Sequence, residues 1–229
     1  MIPLVSLVAA LAIPVIVQVQ AASPAAAPHP GWEPGRNRFR NPPDLAPYIA
    51  AQEDPGRDRW QKPDQVLQAL AVRPGQTVCD IGAGPGYFTL RLARLVGAQG
   101  RIYAVDVEPR ILEVLRERLE KRGIVNVTPV LGLGDNPLLP DATCDLILIV
   151  DTYHHFPDGP AYLRRLAQLL KPAGRIANID FRKQPTPLGP PQGHRIARED
   201  FLRQAATASL KLDQELTFLE NQYFLILRR

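Results

Sequence analysis

Residues 80–89, DIGAGPGYFT, set three glycines at alternate positions behind an acidic residue, the first group in this chain whose types and spacing could do chemistry. Glycine-rich turns that open a helix present bare backbone N–H groups to phosphates or dinucleotides, or simply make room for another ligand. A phosphate cradle requires GxxxxGK[ST], and the loop supplies no such lysine. A nicotinamide or flavin fingerprint requires GxGxxG; counted from Gly82 and Gly84, its third glycine falls on Tyr87. Alone, GxGxG is equally well a turn relieved of crowding. It is accompanied by Asp106 in VDVEP and Asp135 in GLGDN, each expected just past a strand. There one carboxylate accepts from ribose hydroxyls and the other from an exocyclic adenine amine. Three carboxylates at successive strand ends, Asp80, Asp106 and Asp135, repel a diphosphate and suit a cationic nucleoside. A fourth group, DTYHHF at 151–156, offers His154 and His155. On an extended stretch they cannot both face one way, so one faces the cleft while the other packs or caps, or both merely close the turn. Trp60, Tyr87, Tyr153, Arg182 and His194 are further candidates for the cleft.

Positioning such residues requires parallel strands that end on one edge. From QTVCDI onward strand and helix patterns alternate: RLARLV, RIYAVDV, ILEVLRERLEKRG, NVTPVLG, CDLILIV, AYLRRLAQLLKPAG, RIANIDF, REDFLRQAATA. The strands are near-continuous Val/Ile/Leu runs, as expected where helices cover both faces of a parallel sheet. The ending breaks the alternation, because LKLDQELTFL and QYFLILRR are two strand patterns joined by a short link at Glu220 and Asn221 and must be antiparallel. The reading is a doubly wound, Rossmann-like α/β fold with a seven-stranded sheet, mostly parallel, and a C-terminal antiparallel hairpin strand. Two short helices in PDLAPYIAAQE and KPDQVLQALAV form a cap over 42–73 at the start of a domain spanning 42–229.

These motifs resemble the class I S-adenosylmethionine-dependent methyltransferases, near the small-molecule group of ubiquinone and menaquinone biosynthesis. VCDIGAGPGYFTLRLA, IYAVDVEPRILEVL, LGLGDNPLLPDATCDLILIVDTYHHFPD and LLKPAGRIANIDF occur in that family's order. The resemblance implies S-adenosylmethionine as cofactor, with Asp80, Gly82, Gly84 and Gly86 at its methionine end and Ala83 also among the cofactor-binding residues. It further implies Asp106 on the ribose, Val107 against adenine, Asp135 at the adenine amine, and Gly134 and Asp151 among the cofactor-binding residues. The Asp151 to His155 spacing resembles the segment of phosphoethanolamine methyltransferases in which a histidine takes part in catalysis. On that reading His155 is the base and His154 its packing partner, and activity falls below an imidazole pKa of about 6.5. Two other readings stay open, a non-catalytic cofactor-binding protein and a nicotinamide oxidoreductase, the latter disfavoured by Tyr87.

Composition narrows the partners. At 229 residues and 45% hydrophobic content the chain supports one core, and a net charge of +4 without an uninterrupted Lys/Arg block offers little to nucleic acid. No (D/N)PP(Y/F/W) element for flipped bases and no metal-ligand cluster is present, so the acceptor is expected to be a small molecule. Arg36, Arg38, Arg40, Arg57 and Arg59 read as a solvated arm. Residues 1–22 lack charge and end in a VQA/AS junction, so they read as a cleaved export signal or a membrane anchor, with 2–19 able to associate with a membrane. A Pro/Ala/Arg-rich tether follows at 23–41. The expected location is exported (periplasmic) or membrane-anchored, with the cytoplasm, where the cofactor is made, as the alternative. Cys79 and Cys144, near opposite ends of neighbouring strands, are expected some 15 Å apart and therefore as free thiols.

Overall fold

In β1 (Thr77–Ile81), Val78 and Asp80 point to one side and Cys79 and Ile81 to the other, and every residue after Thr77 is buried. Such a strand is covered on both faces. The computed structural model describes residues 44–229; the leader at 1–22 and the tether at 23–41 lie outside the described residues. β2 (Arg101–Asp106), β3 (Val127–Leu131), β4 (Cys144–Val150) and β5 (Leu170–Phe181) run parallel to β1. β7 (Gln222–Arg228) inserts antiparallel between β5 and β6 (Lys211–Leu216), giving the order β3-β2-β1-β4-β5-β7-β6. The seven-stranded architecture expected from the sequence is the one found, although the hairpin link is longer than its Glu220–Asn221 reading because β6 ends at Leu216.

Helices α3 (Pro63–Leu70), α4 (Thr89–Val96) and α5 (Pro109–Lys121) cover one face, where Val66, Leu92, Leu112 and Leu115 pack on Val78, Ile102 and Leu146. α6 (Gly159–Leu169) and α7 (Arg198–Thr207) cover the other, where Leu163, Leu166 and Phe201 meet Ile147, Ile149 and Leu225. α5 and α6 start sharply because Glu108 and Asp158 each cap a free N–H at the first turn, ahead of Pro109 and Pro160. Two small helices precede α3: α1 (Ala46–Gln52), which the sequence indicates, and α2 (Arg57–Gln61), which it does not. α2 has only five residues behind DPG, too few to show a helical period.

The cysteine expectation is overturned: Cys79 and Cys144 form a disulfide, with Cα atoms 6.0 Å apart. The 15 Å figure assumed straight strands and an offset of five residues. In the structure Cys79 lies opposite Ile147, only three residues beyond Cys144, and the β4–β5 pairing beside Cys144 is irregular, with the extra residues on β5 between Leu170 and Arg175.

Candidate functional site

Ile81 pairs with Val105 on β2 and with Ile149 on β4, so Gly82, Asp106 and Val150 leave the sheet at one level. A cleft opens there, beyond the carboxyl ends of the strands, where open α/β sheets bind ligands. It has two limbs. The first, about 800 Å³ including its open mouth, is lined by Val105, Asp106, Val107, Ile111, Leu133, Gly134, His155, Phe156 and Tyr162 among others. The second, about 430 Å³, is lined by Asp80, Ala83, Gly84, Pro85, Tyr87, Gln52 and Arg57 among others. Tyr48, Gly82, Asp151 and Thr152 line both and mark where the limbs meet.

The glycines of the turn have different tasks. Gly82 has φ +74°, and a Cβ there would fall 2.3 Å from the Thr152 side chain, so only glycine lets β4 end against the turn. Gly84 directs its N–H to Asp106 Oδ2 at 2.9 Å. Gly86 lies outside both limbs: a Cβ at this residue, whose φ is +100°, would fall 2.7 Å from Leu115 Cδ1. It serves the contact with α5. The alternation that suggested three equivalent glycines conceals this.

The carboxylates divide similarly. Asp80 is buried beneath the second limb and accepts from Thr89 Oγ1 at 2.6 Å; burial pushes its pKa up to about 6 against that bond. Asp106 also accepts from the Glu108 N–H at 3.0 Å. Burial raises its pKa, opposed by the N–H groups of Glu108, Gly84 and Val107. Asp135 is exposed and not in the lining; it stands at the rim, near enough to Tyr162 to act on it electrostatically. Its neighbour Gly134 does line the cleft, as does Val107, 45% exposed and so an open apolar floor for a planar ring.

The stretch is not extended as expected: Tyr153–His155 form a single 3-10 turn, on which the two histidines meet different surroundings. His154 is buried with Nδ1 2.9 Å from Asp180 Oδ1, away from the cleft lining. Burial works against its charge, but the hydrogen bond and charge of Asp180, with Asp151 adding, hold its pKa above the ordinary value. This places His154 as the packing partner, not a cleft residue. His155 lines the cleft, its ring centroid 4.1 Å from that of His154. The residue is exposed at the open mouth of the cleft, and partial desolvation, with the charges of His154 and His194, lowers its pKa. That direction moves any fall of activity through His155 to a pH below the expected 6.5. Trp60 packs on Phe181 at 5.7 Å between centroids, and Tyr153 is buried against Phe201, so neither reaches the cleft.

Sequence reasoning missed Arg57 and Tyr48. Arg57, read as part of a solvated arm, is 7% exposed and sits in the second limb with its guanidinium carbon 4.0 Å from the Tyr87 ring centroid. Its Nη1 donates to Gln52 Oε1 at 2.7 Å, its Nη2 is 3.8 Å from Asp151 Oδ2, and its buried Nε has no partner. From Arg57 a buried relay runs through Gln61 and Gln222 to Asp151: Gln61 Nε2 donates to Gln222 Oε1 at 2.8 Å, and Gln222 Nε2 to Asp151 Oδ1 at 2.6 Å. Tyr48, on α1, has its pKa pushed up to about 12 by burial and by Asp106. The sequence signal was local and weak, since both depend on how the cap docks.

S-adenosylmethionine fits these residues. An apolar floor at Val107 and Leu133, a carboxylate at Asp106, open backbone at Gly82–Gly84 and an orphaned guanidinium N–H at Arg57 match adenine, ribose, the thioether chain and the amino-acid carboxylate in turn. Residues 73–221 match the family model described as a methyltransferase domain, so the chain belongs to that family of S-adenosylmethionine-dependent methyltransferases. Among solved structures, a SAM dependent methyltransferase from Aquifex aeolicus is similar with a TM-score of 0.75 and 26% identity, over 79% of this chain and 96% of that one. Among curated proteins, the ubiquinone/menaquinone biosynthesis C-methyltransferase UbiE of Vibrio campbellii is 37% identical over 118 residues, 51% of this chain and 46% of the relative. UbiE of Shewanella frigidimarina is 32% identical over 123 residues, 53% and 48% respectively. The chain spans about half the length of the curated relatives it matches.

Proposed function

We propose that this chain transfers the methyl group of S-adenosylmethionine to a small, apolar, hydroxyl-bearing aromatic acceptor. The observation that carries the reading is the two-limbed cleft with Asp106 in one limb and the half-paired Arg57 in the other. The bound cofactor supplies an electrophilic methyl group on a sulfonium. The chain's residues supply position: Asp106 orients the ribose, Arg57 grips the carboxylate, and Tyr48 on α1 closes over the junction and keeps water out. Tyr48 and Asp80 stay protonated or hydrogen-bonded in that enclosure and cost no reorganisation. Phe156, Pro157 and Tyr162 form an apolar wall suited to a flat ring, and the UbiE relatives are named for C-methylation in quinone biosynthesis. The test is incubation of the purified chain with methyl-tritiated cofactor and 1,4-dihydroxynaphthalene or simpler phenols. Radiolabel in the extracted aromatic supports the reading, and its absence across the panel refutes it.

We further propose that the domain works in an oxidising compartment. The Cys79–Cys144 disulfide supports this, because such bonds persist outside the reducing cytosol, and so does the uncharged leader. Among the described residues no helix is long and apolar enough to cross a membrane. Alkylation of protein drawn directly from its host tests this: no thiol reacting before reduction is the expected result, and two reactive thiols would refute it.

A further inference from the structure

The cofactor's reacting carbon must lie where the methionine limb meets the adenosine limb, and four residues line that junction: Tyr48, Gly82, Asp151 and Thr152. Of these only Tyr48 and Asp151 carry groups that titrate. We infer that Asp151, and neither histidine of the adjacent pair, accepts the proton of the methyl acceptor, and that Gln222 and Arg57 hold its carboxylate in place for that task. This rests on the methyl-transfer reading above and names the group that serves the same site.

Four observations converge on Asp151. It follows the last residue of β4 with φ +51°, a left-handed conformation uncommon for a residue other than glycine, which turns its side chain off the strand line at the cleft. Its two oxygens are held from different elements, Oδ1 by Gln222 on β7 and Oδ2 facing Arg57 on α2. Its side chain keeps 20% exposure where both limbs meet, whereas that of His154 keeps 3% and is committed to Asp180. The charged and titratable groups around it are Arg57 from α2, Tyr48 from α1, Asp180 from β5, Tyr223 from β7 and His154 from the turn after β4. Burial and the Asp180 charge outweigh Arg57, Gln222 and His154, and push its pKa up to about 7. A base works best when its pKa lies near the working pH, so Asp151 at the junction fits the task, while His155 lines the adenosine limb alone and Tyr48 keeps its proton.

With a phenolic acceptor the O–H bond breaks and its proton passes to Asp151. The electron pair moves through the ring to the carbon that bonds the methyl, and the pair of the broken carbon–sulfur bond stays on sulfur, leaving a neutral thioether. The ring C–H proton then leaves to water while Asp151 returns its proton to the oxygen. One proton is released for each positive charge lost from the cofactor, so the step balances.

The experiment compares wild type, Asp151→Asn and His155→Gln in three measurements on the full chain. Tritium transfer to 1,4-dihydroxynaphthalene should fall by about 100-fold or more in kcat for Asp151→Asn, with a smaller fall for His155→Gln. Calorimetric affinity for S-adenosylhomocysteine should change by no more than about threefold in Asp151→Asn. Infrared difference spectra of the cofactor-free protein across about pH 6 to 8 should show a protonated carboxyl band that Asp151→Asn removes. A variant keeping more than a tenth of wild-type kcat, a loss of affinity that matches the loss of rate, or a greater loss in His155→Gln would each overturn the assignment. Should wild type methylate no acceptor, the functional reading fails, and the infrared titration still decides the state of Asp151: a band unchanged by Asp151→Asn overturns the inference.

Discussion

Replacing Arg57 by methionine removes the guanidinium and keeps much of the stem that packs beneath Tyr87. In the free protein Arg57 has burial lowering its pKa, Asp151 opposing, and a buried Nε without a partner. A carboxylate arriving in the second limb satisfies that donor, and a hydrogen bond between charged groups contributes about 1.5–3 kcal/mol. At about 1.4 kcal/mol per tenfold, Arg57→Met should weaken S-adenosylhomocysteine binding by roughly 10- to 150-fold. Arg57→Lys keeps the charge without the planar fork and should fall between. The assay is calorimetry with two ligands, S-adenosylhomocysteine and methylthioadenosine, which carries the same nucleoside without an amino-acid end. The reasoning predicts that methylthioadenosine affinity stays within about twofold, because none of its groups reaches the second limb. An equal loss for both ligands would mean that the substitution collapses the cleft, and would refute a specific grip on the carboxylate.

Other outcomes follow from the same geometry. Asp80 and Asp151 titrate higher folded than unfolded, so the stability they confer is full below about pH 4 and is lost as pH rises through about 6 and about 7. Asp151→Asn should therefore raise the Tm of the cofactor-free protein at about pH 8, and the gain should shrink toward pH 4; a Tm lowered equally at both ends would contradict the sign. Gly86→Ala should cost stability, on the order of 1–3 kcal/mol in urea unfolding, and leave cofactor affinity nearly intact, whereas Gly82→Ala should abolish binding through its collision with Thr152. Removing the Cys79–Cys144 bond, which closes a loop with a separation of 65 residues, should cost about 4 kcal/mol by the chain-entropy estimate. An unfolding free energy unchanged by the double Ala substitution would show that the bond is incidental.

Much of the architecture was legible because each layer writes a local pattern. β1 and β4 are covered on both faces and read as largely apolar runs, while the helices between them show their apolar faces by period. Gly82 and Asp106 were legible because strand ends carry chemistry in this topology, and parallel register brings them to one level. Arg57 was not, because its burial is produced by a five-residue helix docking against Tyr87 and the Gln61–Gln222 pair, 161 positions apart in sequence. The same holds for His154, whose partner Asp180 lies 26 positions away on β5. The disulfide escaped because the register of β1 against β4 sets Cys144 three residues from the position opposite Cys79, where the sequence suggested five, and register leaves no mark in the residue pattern. Local periodicity reports which face is buried; it does not report how far neighbouring strand ends curl.

A crystal structure of the protein soaked with S-adenosylhomocysteine tests the central claim most directly. The account predicts adenine over Val107 and beside Gly134, ribose hydroxyls on Asp106, and the homocysteine chain crossing Gly82 and Gly84 with its carboxylate on Arg57. The sulfur would stand beside Asp151. A nucleoside bound elsewhere, or one bound in the cleft with its amino-acid end turned away from Arg57, would contradict it.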